Sequence, residues 1–213
     1  PFFLFLLSHP PPSSLSHRYT HLQTSLVARY GNTVETLMIE WVTTIVANDS
    51  GPFGSLFPDH SSPPQEIRRD FHTGATTTGA PQDLFRCVAE QLHLARTEMP
   101  QQYQHVLDVC LRAFDQFRRL QCRRIFTQDV EKNVSMERVC SIANNLTACV
   151  RHLDTLRDDV DLSLLDSDRR EGLEEDMEKM GEECMVSASN AIGCLVRQMF
   201  HSCYSDLGRH MSK

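Results

Sequence analysis

The residue types that could do chemistry are present in this chain, but each candidate arrangement fails at a named position. His17 and His21 stand four apart, the spacing that aligns two metal ligands on one helix face, yet the Glu of a helical zinc-protease motif is absent between them. Asp159, Asp161 and Ser163 imitate the opening of a calcium loop. Leu164 then occupies the place where the sharp turn needs glycine, and Arg170 the place of the bidentate glutamate. No GxxxxGK[ST] or GxGxxG run offers a phosphate cradle, and no GxSxG elbow presents a nucleophile. The expectation is therefore no catalytic residue, no metal, no cofactor and no small-molecule substrate.

Eight cysteines follow: Cys87, Cys110, Cys122, Cys140, Cys149, Cys184, Cys194 and Cys203. None forms a CxxC pair, which removes a zinc ribbon or a thioredoxin-like site. Most fall among apolar residues at helical spacing, so they read as small buried hydrophobes of a reducing compartment. The net charge of -7 gives no reason to expect a nucleic-acid partner. Two charge clusters stand out locally. Arg118, Arg119, Arg123 and Arg124 make a compact basic patch, a candidate for phosphoinositide headgroups or an acidic partner, set against the plainer reading of a solvated, ion-paired face. Asp158–Glu183 is strongly acidic, opposed only by Arg169, Arg170 and Lys179.

The elements that position these residues read as helices. Val34, Leu37, Met38, Trp41, Val42 and Ile45 recur at intervals of three and four, the signature of one amphipathic face over 25–48. Asn48-Asp49-Ser50-Gly51-Pro52 ends that helix. Residues 49–80, with Pro52, Pro58, Pro63 and Pro64 and four glycines, predict a long loop without a regular element. Pro81 suits a first helical position, and Leu84, Phe85, Val88, Leu92 and Ala95 make the stripe behind it. After Pro100, a helix from about Tyr103 to about Phe126 buries Val106, Leu107, Cys110, Ala113, Phe114 and Phe117. A nearly heptad repeat carries Val139, Ile142, Ala143, Leu146, Cys149, Val150 and Leu153. The last helix opens near Asp168, with Glu171 as its capping-box partner, and runs through Cys203. No strand signal of comparable quality appears. The fold class is all-α: a helical bundle over 81–213, packed antiparallel into a bundle or elongated rod. Residues 1–24 are expected to be disordered or foreign to the natural protein, because a Phe/Leu/Ser/Pro-rich stretch is what a translated pyrimidine-rich intron end gives.

Three segments, taken in order, resemble a known family: Thr76-Thr77-Thr78-Gly79-Ala80-Pro81-Gln82-Asp83-Leu84-Phe85 with Glu90-Gln91-Leu92-His93-Leu94-Ala95; Val106-Leu107-Asp108-Val109-Cys110-Leu111 leading to Phe117; and Ser141-Ile142-Ala143-Asn144-Asn145. Together they are similar to the exocyst complex component three family, over about residues 25–213. The resemblance implies a fold of the multisubunit tethering-complex type, without catalytic residues. It implies a subunit that holds secretory vesicles at the plasma membrane before SNARE-driven fusion. Expected partners are other exocyst subunits and SNARE proteins, with peripheral contact at the cytoplasmic face of the plasma membrane. Two alternatives stand beside this reading. One is a membrane-remodelling paralogue that uses the four arginines on phosphoinositides; the other is a helical hydrolase with a site assembled from distant residues.

Overall fold

A computed structural model describes residues 16–49, 68–69, 76–126 and 136–211. Among the described residues five helices carry the architecture: α1 (Ser16–Asn48), α2 (Ala80–Glu98), α3 (Tyr103–Phe126), α4 (Met136–Asp159) and α5 (Ser167–Met211). Short 3-10 turns at Pro100–Gln102 and Leu162–Leu164 join α2 to α3 and α4 to α5. The all-α expectation holds. Two details differ from the sequence reading. Helix α1 begins at Ser16, nine residues before the expected start, since no proline or glycine interrupts the chain between Ser16 and Tyr30. The loop before α2 contains a two-residue antiparallel ladder, β1 (Arg68–Arg69) with β2 (Thr76–Thr77), in the register Arg68 to Thr77. The loop prolines and residues 1–15 lie outside the described residues.

The most extensive pairing is α4 with α5, followed by α1 with α3. The main core draws on all five helices, with Met38, Val42, Leu84, Val88, Leu107, Phe114, Phe117, Leu153, Leu156 and Met177 essentially sealed from solvent. A second, smaller cluster joins Ile125 of α3, Val139, Ile142, Ala143 and Leu146 of α4, and Ala188 and Ala191 of α5. Cys87, Cys110, Cys149 and Cys184 are buried thiols, as their helical spacing predicted. Burial pushes Cys87 up to about 11 and Cys110 and Cys184 up to about 12, so none is a nucleophile near neutral pH.

One close approach depends on glycine. A Cβ at Gly31 would sit 2.8 Å from Cδ2 of His105, so the missing side chain lets α1 lie hard against α3.

The turn between α4 and α5 is closed by side chains. Asp161 accepts from the Ser163 N–H at 3.1 Å and from the Ser163 hydroxyl at 2.6 Å, capping the 3-10 turn. The carboxylate that imitated a calcium ligand is thus used as a cap. Asp166, rather than Asp168, caps α5, accepting from the Arg169 N–H at 2.8 Å. Gln104 locks that cap to α3: its Nε2 donates to Asp166 Oδ2 at 2.9 Å, and its Oε1 accepts from the Asp166 N–H at 3.1 Å. The buried Tyr103 hydroxyl accepts from the Asp161 N–H at 3.0 Å.

Candidate functional site

A polar cluster lies inside the bundle where an apolar core would be expected. Asp49 follows the last residue of α1, and its carboxylate is 5% exposed. Asp49 Oδ2 accepts from Gln121 Nε2 at 2.9 Å, from Arg124 Nη1 at 3.2 Å and from Asn145 Nδ2 at 3.4 Å. Asn145 and Gln121 are fully buried. Asn145 Nδ2 also donates to Thr78 Oγ1 at 2.8 Å, and Asn145 Oδ1 accepts from the Thr78 N–H at 3.1 Å. One amide of α4 therefore holds both stems of the long loop, Asp49 at its start and Thr78 at its end. Burial lowers the Arg124 pKa, with Arg138 adding to the effect and Asp49 opposing it. Gln121 Oε1 is buried without a protein partner.

The sequence carried a signal for this cluster that periodicity alone passes over. Asn145 falls between Ile142 and Leu146 on the buried face of α4, and Gln121 falls between Phe117 and Ile125 on the buried face of α3. A polar residue at a core position must find partners there, because an unpaired polar group in low dielectric is costly. The partners themselves lie 67 to 96 residues away from Asn145 and could be named only from the fold.

The basic patch is distributed rather than pooled. Arg118 Nη2 meets Asp115 at 2.6 Å and Glu183 at 2.8 Å, and its Nη1 donates to Ser187 at 3.4 Å. Burial alone would lower the Arg118 pKa; Asp115 and Glu183 outweigh it and hold the guanidinium charge up. Arg119 Nε pairs with Asp115 at 2.7 Å while its side chain stays exposed. Arg124 points inward to Asp49, and Arg123 is exposed. Arg118 and Arg124 are thus engaged inside the molecule, while Arg119 and Arg123 face solvent.

Two shallow grooves flank α3. The larger, about 470 Å³, runs between α3 and α5, with Asp108, Asp115, Asp176 and Glu183 facing Arg112, Arg119, Arg169 and Lys179. Arg169 pairs with Asp108 at 2.8 Å and with Asp176, which ties α5 to α3. The smaller, about 360 Å³, lies between α1 and α3 and is crossed by the Arg112–Glu35 pair at 3.0 Å. Opposite charges balance in the larger groove, so it offers no net field to capture a charged small molecule. Among the described residues no cluster of three metal-ligating side chains occurs, and no helix is long and apolar enough to cross a membrane.

What these elements offer is surface and stiffness: long helices, locked at their junctions by side-chain hydrogen bonds and ion pairs. Comparison with family models matches residues 18–213 to exocyst complex component Sec6. The chain belongs to this exocyst family. Its members are subunits of a vesicle-tethering complex, and the match covers every helix described above apart from the first two residues of α1. Comparison with curated proteins and with solved structures gave no significant match.

Proposed function

We propose that this chain is a non-enzymatic part of an exocyst subunit of the component three type, which helps hold secretory vesicles at the plasma membrane before SNARE-driven fusion. The observation that carries the reading is the Sec6 family match from residue 18 to residue 213. The geometry is consistent with it. A tether must resist bending, and antiparallel helices with interlocked apolar faces do so over lengths set by about 1.5 Å per residue. Helix α5 alone, at 45 residues, spans about 67 Å. In this reading the partners are other exocyst subunits and SNARE proteins, engaged along helix faces. Contact with the cytoplasmic face of the plasma membrane is peripheral, through exposed basic side chains such as Arg119 and Arg123.

The test is co-precipitation from cells with an epitope-tagged chain, probed for the other exocyst subunits and for plasma-membrane SNAREs. Recovery of at least one exocyst subunit in stoichiometric amount is expected. A correctly folded chain that recovers none would overturn the reading. Binding to phosphoinositide vesicles that disappears on replacing Arg119 and Arg123, with no exocyst subunit recovered, would favour a membrane-remodelling paralogue.

A further inference from the structure

The turn between α4 and α5 carries a sequence that one class of protease reads. Asp158-Asp159-Val160-Asp161 is the one Asp-x-x-Asp run in the chain. Executioner caspases require aspartate on the acyl side of the bond they cut, because a basic pocket binds its carboxylate. Neighbouring pockets take an aliphatic residue before that aspartate, an acidic residue before the aliphatic one, and a further aspartate ahead of both. Asp158, Asp159, Val160 and Asp161 meet these four demands in order.

The fold puts this run where a protease can reach it. Asp158 and Asp159 are exposed and end α4, and helix ends open locally at little cost. Asp161 precedes the 3-10 turn in extended backbone, φ -81° and ψ 91°, the conformation that a protease cleft pairs with as an added strand. Leu162, on the far side of the bond, is 52% exposed. The residues that must enter the cleft therefore lie in a short connection between two helices, the kind of place where nicking concentrates.

The same turn is held shut by contacts that can be named. Val160 is buried, and its N–H donates to the Leu156 carbonyl at 3.1 Å. The Asp161 carboxylate accepts from Ser163, and the Asp161 carbonyl accepts from the Leu164 N–H at 3.2 Å. The Asp161 N–H donates to the Tyr103 hydroxyl at 3.0 Å, the one bond of this set that comes from another helix, α3. Cleavage therefore needs a local opening of the turn, and its rate follows the open population. Caspases cut fastest before a small residue, so Leu162 and this ordering together make the site a slow one.

We propose that the bond between Asp161 and Leu162 is a cleavage site for an executioner caspase, gated by the Tyr103 hydroxyl. The protease thiolate attacks the Asp161 carbonyl carbon. The C–N bond to Leu162 breaks, its nitrogen taking a proton from the protease imidazole, and water then hydrolyses the thioester to leave Asp161 as a new C-terminus. The cut severs α5 from the four helices before it. The test incubates the full chain with a recombinant executioner caspase, at a dose that consumes a peptide of residues 154–166. Intact-mass spectrometry should find residues 1–161 and 162–213 as the products. Asp161→Asn, which keeps a capping side chain, should stay whole. Asp158→Ala should be cut about tenfold more slowly, through loss of one charge-assisted contact to the protease. Tyr103→Phe should be cut about fivefold faster, through loss of one hydrogen bond holding the turn. Circular dichroism should show the parent helix content in all three variants. Resistance of the peptide, resistance of the parent chain at that dose, cutting elsewhere, or cutting at Asp161 that Asp158→Ala leaves unchanged would each overturn the proposal. A Tyr103→Phe rate equal to the parent's would overturn the gate.

Discussion

Replacing Asp49 by alanine removes the acceptor on which Gln121, Arg124 and Asn145 converge. Arg124, whose side chain is 12% exposed, then loses the carboxylate it pairs with. Leaving one half of a buried ion pair costs about 3–5 kcal/mol. Residual exposure of Arg124 argues for the lower end, about 3 kcal/mol. Arg124→Met leaves Asp49 with two amide donors and should cost less, about 2 kcal/mol. The double variant removes both charges of the pair, so it should cost about 3 kcal/mol rather than the sum, a coupling of about 2 kcal/mol. Urea denaturation followed by circular dichroism measures all four corners of this cycle. In a thermal scan Asp49→Ala should lower Tm by about 6–12 °C for a chain of this size. Additive single-variant costs, or a loss below about 1 kcal/mol for Asp49→Ala, would refute the claim that the pair is buried and mutually dependent.

Three further outcomes are expected. The carboxyl of Asp166 is held below its ordinary range, first by the Arg169 N–H and then by Gln104, so its contribution to stability is present above the unfolded carboxyl pKa and is lost as pH falls through the lower folded value; acid titration of Asp166→Asn should show a flatter stability profile below about pH 4 than the parent. Gly31→Ala should gain little or lose stability because of the His105 imidazole, whereas in a His105→Ala background the same change should stabilise by about 1 kcal/mol in urea melts. Iodoacetamide at pH 8 should label Cys203 while Cys87, Cys110 and Cys184 remain unmodified until the chain unfolds, read by peptide mass mapping.

Much of the fold could be read locally because its causes are local. Pro81 and Pro100 bracket α2, and the stripe through Val106, Leu107, Cys110, Phe114 and Phe117 proves to be the buried face of α3. The polar cluster was not legible in that way. Asp49 reads as a helix stop and Arg124 as one of four surface cations, and only the folded chain brings them to 3.2 Å across 75 residues. The cap of α5 was misplaced by two residues because Asp166 and Asp168 are equally good formers; the amide of Gln104, on another helix, decides between them. The exposure of Ile192, Val196, Met199 and Phe200 on α5 was hidden for a related reason. Their spacing continues that of the buried half of the helix, and the pattern alone does not tell a covered face from an open one.

The grip of Asn145 on Asp49 and Thr78 has a consequence for how this chain tolerates change. With Asp49 and Thr78 both held by one side chain, the two ends of the intervening segment are fixed relative to each other by α4. Doubling its length would cost only about 0.6 kcal/mol in closure entropy. Insertion between Asp49 and β1 of a domain whose termini lie close together is therefore expected to leave the contacts of Asn145 with Asp49 and Thr78 in place. A fluorescent protein inserted at that place would report on the intact bundle without occupying either end of the chain.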